Sequence, residues 1–480
     1  MQIDEPIWTS AEMAAACGGI TVRPWYADGL QIDSREIMPG DLFVALRGTG
    51  TDGHKFVAEA LSRGAVAAVV CDEVPGLDSG DQRLVHVADT LEALKLMAAH
   101  ARGRAPAQII GVTGSAGKTS VVQALRQALE RVGATHASIK SYNNHVGVPL
   151  SVARMPRQTR HGIFEIGMST AGEIVHSAKV VRPDVAVITT VGAAHSANFK
   201  DELSIAKEKA SLIDALPQGG TAVIGVDHPH REQLLAHARA VGVMAISVSV
   251  LEKADVQPIR LTEHHNCTCL TADIFGTPVT YKIAQPGREW VLNSLLVLAA
   301  VKAAGADLGQ AALALASLQA EPGRGRAHRL NLGHGQATLL DDSYNANPLS
   351  LRAALRRLSL APVSDAGKRV AVLADMQELG SKSDELHLSL MGDLKRFNVN
   401  KVIAFGDQMA TLGEGAGIAT ERWDDPKASA ARLMGQLTGG DAVMVKGANS
   451  AALNRMVEGM LEISKDDQYT PTAMERRASH

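Results

Sequence analysis

Short apolar runs alternate with amphipathic segments along most of this 480-residue chain. Short apolar runs bounded by turn residues are typical of buried strands, and apolar residues spaced three or four apart are typical of helices. In the middle of the chain this pattern predicts strands at 109–112, 163–166, 185–189, 221–224 and 243–250. Because helical segments lie between them, the pattern predicts an α/β fold with a mostly parallel, doubly wound sheet.

The pattern extends toward both ends. Early in the chain it predicts helices and strands in turn, at 10–16, 42–46, 57–62, 65–70 and 91–102. Residues 257–283 are expected to be a β-rich, irregular excursion, and 293–304 a helix. Later strands are predicted at 337–340, 369–373, 401–405 and 442–445. We therefore predict domains at 1–105, 106–322 and 323–465, and a polar, disordered tail at 466–480.

The stretch IIGVTGSAGKTS, residues 109–120, places a glycine-rich loop between an apolar strand and a helix. Glycines let backbone N–H groups close on phosphate oxygens, and the helix dipole adds positive potential. Lys118 can reach terminal phosphates, and the Thr119 hydroxyl can hold Mg²⁺. Val112 stands where a complete P-loop pattern has glycine. The stretch predicts an ATP site formed by Gly114, Ser115, Ala116, Gly117, Lys118, Thr119 and Ser120.

Two further residues have metal-binding chemistry at strand ends. Glu165 ends one apolar strand, where a charge is costly unless it meets a cation, and His195 follows the next strand. These two residues could share a divalent ion with a phosphate oxygen, although each alone could also be a structural polar residue. Lys207 and Lys209 lie on different sides of a predicted helix. Either lysine could face phosphate, become a carbamylated ligand or belong to a solvated charge run.

Several polar turns follow other predicted strands. They are SYNNHVGVPL (141–150), LLDDSYNANPLS (339–350), LADMQELG (373–380) and VKGANSAAL (445–453). Such turns can bind a sugar or close a second face on a nucleotide, or they can be ordinary capped loops. Arg324, Arg326 and Arg329 could reach a γ-phosphate or coat a linker. The segment HHNCTC, residues 264–269, fits no zinc spacing.

Composition narrows the classes of protein. A net charge of −3 and only 3% aromatic residues favour no nucleic-acid partner. No apolar run reaches about 20 residues, so no membrane insertion is expected. The acidic N-terminus does not resemble a signal peptide, and four scattered cysteines suit reduced thiols. We expect a cytoplasmic monomer.

Together, the motifs TGSAGKTS, NNHVGVPL, EIGMSTAGEI, VGAAH, AKEKA, PGR and VKG resemble those of the Mur ligase family. These are ATP-dependent amide ligases of peptidoglycan precursor synthesis. DSREIMPGDLFVAL resembles the domain that holds the UDP end of the substrate. LLDDSYNANP and LADMQELG resemble the member that adds D-alanyl-D-alanine to UDP-N-acetylmuramoyl-tripeptide (UDP-MurNAc-tripeptide). The resemblance implies three domains, a central P-loop ATPase domain, a C-terminal Rossmann-like domain, ATP and Mg²⁺.

The resemblance also implies residue roles. Lys118, Lys209, His195 and Arg324 would be catalytic, with Lys118 and the loop amides neutralising charge on the transferring phosphoryl group. Thr119 would hold one Mg²⁺, and Glu165, His195 and a carbamylated Lys209 a second; the A-K-x-K pattern selects Lys209 over Lys207. The other implied positions are Arg324 near the γ-phosphate, Asn293 near adenine, Asp342 and Asn345 near ATP, Ser34 and Arg35 near uridine, Asn143 and Asn144 near the sugar, and Asn347 near substrate.

Some positions depart from the family's pattern. GREWVLN has Glu289 and Trp290 where the pattern has His and Asn, and KGAN has Ala448 and Asn449 where it has Ser and Arg. The stretch GTGTDGH also differs from the family's G-E-R-x-D-G-H. A Mur-type ligase of specialised metabolism, with other substrates, is therefore an alternative. A non-catalytic nucleotide-binding partner of cell-wall enzymes is a third.

Overall fold

The computed structural model describes residues 5–48, 50–138, 141–333 and 335–466. They form two compact units: one holds residues up to 190, 206–256 and 295–314, and the other holds 191–205, 257–294 and residues from 315 onward. The predicted domain limits at 105, 322 and 465 remain predictions, and most of the predicted tail lies outside the described residues. Among the described helices, none is long and apolar enough to cross a membrane.

The first unit opens with a small parallel sheet. Its four strands are β3 (Gly29–Gln31), β4 (Asp41–Val44), β5 (Ala67–Val70) and β6 (Leu84–His86), which lie in that order, and all four residues of β4 and of β5 are buried. Phe43, Val57 and Ala68 belong to its apolar core. The elements in this part are β1 (Trp8–Thr9), α1 (Ser10–Cys17), β2 (Tyr26–Ala27), β3 (Gly29–Gln31), β4 (Asp41–Val44), α2 (Val57–Ser62), β5 (Ala67–Val70), β6 (Leu84–His86) and α3 (Thr90–Arg104).

A larger parallel sheet follows in the same unit. Its elements are β7 (Gln108–Thr113), α4 (Lys118–Glu130), β8 (Thr135–Ala137), α5 (Gly147–Ala153), β9 (His161–Glu165), α6 (Glu173–Val181), β10 (Val185–Ile188), α7 (Glu202–Ala210), β11 (Thr221–Gly225), α8 (Arg231–Ala240) and β12 (Met244–Val248). The strand order is β12-β11-β10-β7-β9-β8, all parallel. The chain therefore leaves β7 toward both sides, and the carboxyl end of β7 is the switch point where such sheets bind ligands.

The second unit holds a six-stranded sheet in the order β16-β17-β21-β18-β19-β20. Only β16 pairs antiparallel in this sheet, and helices pack on both faces, as in a Rossmann-like domain. The elements are β13 (Val256–Glu263), β14 (Thr268–Ile274), β15 (Thr277–Ile283), the start of α9 (Arg288–Ala303), β16 (Arg326–Leu332), β17 (Gly335–Asp342), α11 (Pro348–Leu360), β18 (Arg369–Ala374), α12 (Ser383–Leu388), α13 (Met391–Arg396), β19 (Lys401–Phe405), α14 (Asp407–Gly415), β20 (Ala419–Arg422), α15 (Pro426–Met434), β21 (Ala442–Lys446) and α16 (Leu453–Asp466). The rest of α9, from residue 295, and residues 308–314 of α10 (Leu308–Leu315) belong to the first unit.

The segment 257–283 is β-rich as predicted, but it is not irregular, because it forms three full strands, and β14 and β15 pair in register as a hairpin. One of the two alternatives for the arginines, that they coat a linker, does not hold for Arg326 and Arg329, because both residues lie in β16. Charged residues alternate with apolar ones there, so the segment does not read as a buried strand. The α/β class with parallel sheets is confirmed.

Candidate functional site

The predicted phosphate loop joins the end of β7 to the start of α4. Gly117 adopts φ 84° directly before the helix, and Gly114 adopts φ 154°. A side chain at Gly114 would lie 1.8 Å from Thr189 Oγ1, so the loop requires glycine there. The Ser115 N–H donates to the Thr190 carbonyl at 2.9 Å, and Thr189 donates its hydroxyl to Ala116 O. These two hydrogen bonds hold the loop against the residues that follow β10, at the N-terminus of a 13-residue helix.

Lys118 begins α4, and its Nζ donates to the Gly114 carbonyl at 2.7 Å. The ammonium group therefore lies over the loop whose amides would bind phosphate. Ser120 follows on the same helix, one residue after the predicted magnesium ligand Thr119. These residues occupy the positions that the sequence pattern predicts for a phosphate-binding loop.

Glu165 is the centre of a buried polar cluster at the carboxyl ends of β7 and β9. It is 1% exposed, and its Oε2 accepts from the Thr119 hydroxyl at 2.7 Å. Its Oε1 accepts from the Asn143 amide at 2.6 Å, and its backbone N–H donates to Ser138 Oγ. Among the described residues, no lysine, arginine or histidine forms an ion pair with it. A buried carboxylate next to hydroxyl oxygens suits a divalent cation.

Lys209 is also buried in the first unit, with 1% of its surface exposed. Burial lowers its pKa well below the usual value, and the charge on Lys118 lowers it further. The hydrogen-bond acceptor that the described residues provide for its Nζ is the Met168 sulfur, at 3.8 Å. Lys207, two residues earlier on the same helix, is exposed. The two lysines thus lie on different sides of α7, as predicted, and burial favours the neutral form of Lys209 more than that of an ordinary lysine.

The predicted sugar and uridine residues have local structural partners. Asn144 Oδ1 accepts from the N–H groups of Val146 and Gly147 and so supports the start of α5. Ser34 is buried and donates its hydroxyl to Glu59 at 3.0 Å. Arg35 is largely exposed and pairs with Asp33. These contacts show how the side chains are held, and none of them tests what the residues bind.

In the second unit, His195 is held by the LADMQELG turn. Its Nδ1 forms a short hydrogen bond with the Glu378 carboxylate, and the Ala197 N–H donates to Glu378 O at 2.9 Å. His195 and Glu378 both have positive φ, 58° and 61°, which is strained for residues other than glycine. Because Nδ1 faces Glu378, a metal would have to bind His195 through Nε2. The sequence pattern predicts a polar turn here, but it carries no signal that singles out Glu378.

The remaining predicted residues also lie in the second unit. Arg324 stacks on Tyr344, its guanidinium carbon 3.9 Å from the ring centroid. Asn293 is buried on α9. Asp342 ends β17, and Asn347 caps α11 through its side chain, which accepts from the Ser350 N–H at 2.9 Å.

Asn345 lies in the same turn, and its backbone carbonyl accepts from Lys446 Nζ at 2.8 Å. Arg357 donates to Asp342 at 2.5 Å. The sequence pattern does not predict that Lys446 and Arg357 contact this turn and Asp342. Arg356 and Arg357 are adjacent in the sequence, and no local signal distinguishes one from the other.

Three family models match the chain. They are "Mur ligase family, catalytic domain" at residues 27–102, "Mur ligase middle domain" at 112–301, and "Mur ligase, glutamate ligase domain" at 325–449. Together these matches leave only the ends and short connecting segments outside.

Curated relatives match over most of their length. A UDP-N-acetylmuramoyl-tripeptide--D-alanyl-D-alanine ligase from Escherichia coli K12 is 31% identical over 439 residues, which are 91% of this chain and 94% of the relative. The enzyme of the same name from Bacillus subtilis is 28% identical over 463 residues, 95% of this chain and 98% of the relative.

Solved structures share the fold. A crystal structure of MurF from Acinetobacter baumannii superimposes with a TM-score of 0.81 at 24% identity, covering 95% of this chain and 99% of that one. MurF ligase from Thermotoga maritima in complex with ADP superimposes with a TM-score of 0.76 at 26% identity, covering 92% of this chain and 98% of that one.

Proposed function

The chain belongs to the Mur ligase family, and we propose that it is the ATP-dependent ligase that adds D-alanyl-D-alanine to UDP-MurNAc-tripeptide. The observation that carries this proposal is its similarity, over nine-tenths of the chain, to curated ligases named for that reaction. The motifs after β17 and β18, which resemble those of the same ligase, also support it. The product would be a precursor of peptidoglycan.

The reaction joins a carboxylate and an amine in two steps. The γ-phosphoryl group of ATP is transferred to a carboxylate oxygen of the tripeptide, giving an acyl phosphate and ADP. The amine of D-alanyl-D-alanine then attacks the acyl carbon; a C–N bond forms, the amine loses a proton and phosphate leaves. Lys118 and the amides of the loop at the N-terminus of α4 would stabilise negative charge on the transferring group.

Mg²⁺ is implied by the family, and the residues around Glu165 fit it. The buried carboxylate and the Thr119 hydroxyl provide hard oxygen donors, with no competing ion pair of Glu165 among the described residues. Thr119 and Glu165 would hold the cation, which neutralises phosphate charge when bound. His195 would add a nitrogen ligand, with Glu378 fixing its ring.

A carbamylated Lys209 would be a further anionic ligand. CO₂ reacts only with a neutral amine, and burial keeps this amine neutral more readily than an ordinary lysine. The acceptor near its Nζ is a thioether rather than a carboxylate, so the reaction would break no salt bridge between Lys209 and another described residue.

Other parts of the substrates would be bound elsewhere in the chain. Arg324 would approach the γ-phosphate, Asn293 the adenine, and Asp342 and Asn345 the nucleotide. Asn347 would contact the substrate, Ser34 and Arg35 the uridine, and Asn143 and Asn144 the sugar.

We also propose that the protein is a monomer in the cytoplasm with no nucleic-acid partner. Its four free cysteines fit a reducing compartment.

Phosphate release from ATP tests the proposal directly. Purified protein is supplied with Mg²⁺, UDP-MurNAc-tripeptide and D-alanyl-D-alanine, and each is left out in turn. We expect rapid release only when all are present, and the Lys118→Ala variant should lose about a hundredfold or more of the rate. If phosphate is released at the same rate without UDP-MurNAc-tripeptide and without D-alanyl-D-alanine, the assignment is wrong.

One observation favours a second candidate, a Mur-type ligase with different substrates. Glu289 and Trp290 replace the His and Asn of the family pattern, and Glu289 lies 3.9 Å from Arg357 in an ion pair of the second unit. If the protein binds ATP but neither UDP-MurNAc-tripeptide nor D-alanyl-D-alanine stimulates phosphate release, this second candidate is favoured. Complementation of a strain that lacks the D-alanyl-D-alanine-adding ligase would exclude it.

A further inference from the structure

Five charged side chains gather at the carboxyl ends of β17 and β21 in the second unit. Arg357 Nη2 donates to Asp342 Oδ2 at 2.5 Å, and Lys446 Nζ lies 3.6 Å from Asp342 Oδ1. Glu289 Oε1 lies 3.9 Å from Arg357 Nη1. Arg324 is close enough for its charge to lower the pKa of Lys446, which burial already lowers. Three cations thus surround two carboxylates, and the surplus of positive charge suits an anionic ligand.

Arg357 is the central member of this group. It is 5% exposed and reaches both carboxylates, although it lies on α11 and Glu289 lies on α9. Its Nε has no hydrogen-bond partner among the described residues, and the same is true of Glu289 Oε1. Among the described residues, the guanidinium is therefore held by charge and by one strong hydrogen bond rather than by a full set of acceptors.

The loop that carries Arg324 rests directly on this guanidinium. Gly325 adopts φ 92°, and a side chain there would lie 2.1 Å from Arg357 Nη1. The Gly325 N–H donates to Asp341 O at 2.7 Å, and the Gly323 N–H donates to the Asp341 carboxylate at 2.7 Å. Arg357 therefore supports the backbone next to Arg324 as well as the Asp342 side chain.

The contacts of Asp342 leave a defined direction for a ligand. Oδ2 takes the strong bond from Arg357, whereas Oδ1 lies beyond hydrogen-bond distance of Lys446. An Asp342 carboxylate oriented in this way can accept a hydrogen bond from a hydroxyl through Oδ1. Without Arg357 the carboxylate would turn toward Lys446, which is already bound to Asn345 O.

We propose that Arg357, held by Glu289, is a positioning residue for the nucleotide, because it orients the Asp342 carboxylate and supports the Arg324–Gly325 loop. This inference rests on the proposed use of ATP. Glu289, which departs from the family pattern, then has a defined role: it balances the Arg357 charge from the neighbouring helix. Removing Arg357 would disturb the nucleotide side of the enzyme and leave the UDP-substrate side unchanged.

The test measures the KM for ATP, the KM for UDP-MurNAc-tripeptide, and the Kd for ADP by calorimetry with the full chain. We expect Arg357→Met to raise the KM for ATP and the Kd for ADP about tenfold or more, with less than a twofold change in the KM for the UDP substrate. The matched control is Arg356→Met, since Arg356 is the preceding residue on α11 and pairs with Glu263 at 2.7 Å instead. It should change all three constants less than twofold.

Glu289 is tested by combination. Glu289→Gln should raise the Kd for ADP about threefold, and Glu289→Gln with Arg357→Met should be no weaker than Arg357→Met alone, because Glu289 acts through Arg357. If the two substitutions instead raise the Kd for ADP by independent factors that multiply in the double variant, Glu289 does not act through Arg357. If Arg357→Met does not fold, Arg357→Lys carries the test, since lysine keeps the charge but cannot form the same fork.

Binding of ADP separates this inference from the proposed function. Weaker ADP binding by Arg357→Met supports the inference even if D-alanyl-D-alanine proves not to be the amine. Unchanged ADP binding and an unchanged KM for ATP would overturn it, even if the ligase reaction is established.

Discussion

The Thr119 hydroxyl donates to Glu165 Oε2 at 2.7 Å, which joins the first turn of α4 to the end of β9 across 46 positions of sequence. The bond links the phosphate loop to a buried carboxylate in the same unit. A hydroxyl and a carboxylate at this distance can act together on one cation. The predicted nucleotide loop and the predicted metal ligand are therefore parts of one cluster.

Glu165→Gln tests that cluster. The amide keeps the shape of the side chain but loses its charge, so we expect the Mg²⁺ concentration for half-maximal phosphate release to rise about tenfold or more. A magnesium titration measures the effect. The control is Glu173→Gln, which changes a carboxylate whose bonds go to Ser169 and Thr170 at the start of α6. Equal magnesium requirements in the two variants would remove Glu165 from the metal site.

Lys209→Ala tests the carbamate. The variant should lose about a hundredfold or more of its activity, and short carboxylates such as formate or acetate should restore part of it by supplying the missing anion. The exposed neighbour Lys207 provides the control, and Lys207→Ala should stay within about twofold of the parent.

A second readout does not depend on turnover. Carbon NMR of the parent protein with ¹³C-labelled CO₂ should show a carbamate signal that is lost in Lys209→Ala. Absence of both the signal and the rescue in a folded variant would rule out carbamylation.

Glu378 should matter through His195. Glu378→Ala removes the acceptor at Nδ1, so the ring loses its orientation and we expect the magnesium requirement to rise about tenfold. The magnesium requirement of Glu378→Gln should lie between those of the parent and Glu378→Ala, because its amide oxygen can still accept a hydrogen bond. Glu385→Ala, which changes an exposed carboxylate on α12, is the comparison. Identical magnesium curves for all variants would show that His195 acts without this support.

His136 should contribute to the pH dependence of stability. Burial beneath α5 lowers its pKa from 6.5 to about 4, and the ring nitrogen Nε2 bonds the Ser151 carbonyl at 2.8 Å. Between these values the unfolded chain binds the proton that the folded chain does not, so stability rises with pH. The neutral ring's contribution is present above pH 6.5 and is lost as the pH falls toward 4.

The expected loss from this residue is about 2 kcal/mol between pH 7 and pH 5. Denaturant unfolding at the two pH values measures it in the parent and in His136→Gln. Between pH 7 and pH 5, the fall in the free energy of unfolding should be about 2 kcal/mol smaller in the variant than in the parent. An equal pH dependence in both proteins would contradict the assignment.

The sequence alone determines most of the fold, because short apolar runs and glycine turns are local signals. The strand before Gly114 and the helix that starts at Lys118 follow directly from that pattern. The edge strands β16 and β20 do not, since their polar residues face solvent and a half-exposed strand lacks an apolar run. The hairpin of β14 and β15 was expected to be irregular for the same reason.

Tertiary structure decides which distant residues meet. The sequence names Thr119 and Glu165 but not their bond, because that depends on β7 and β9 being neighbours in the sheet. Local periodicity puts Lys207 and Lys209 on different sides of a helix, and only packing shows which side is buried. Glu289 and Arg357 are 68 positions apart, and no local pattern relates them. Their pairing arises because two helices, each with its own local signal, bring opposite charges together once the chain folds.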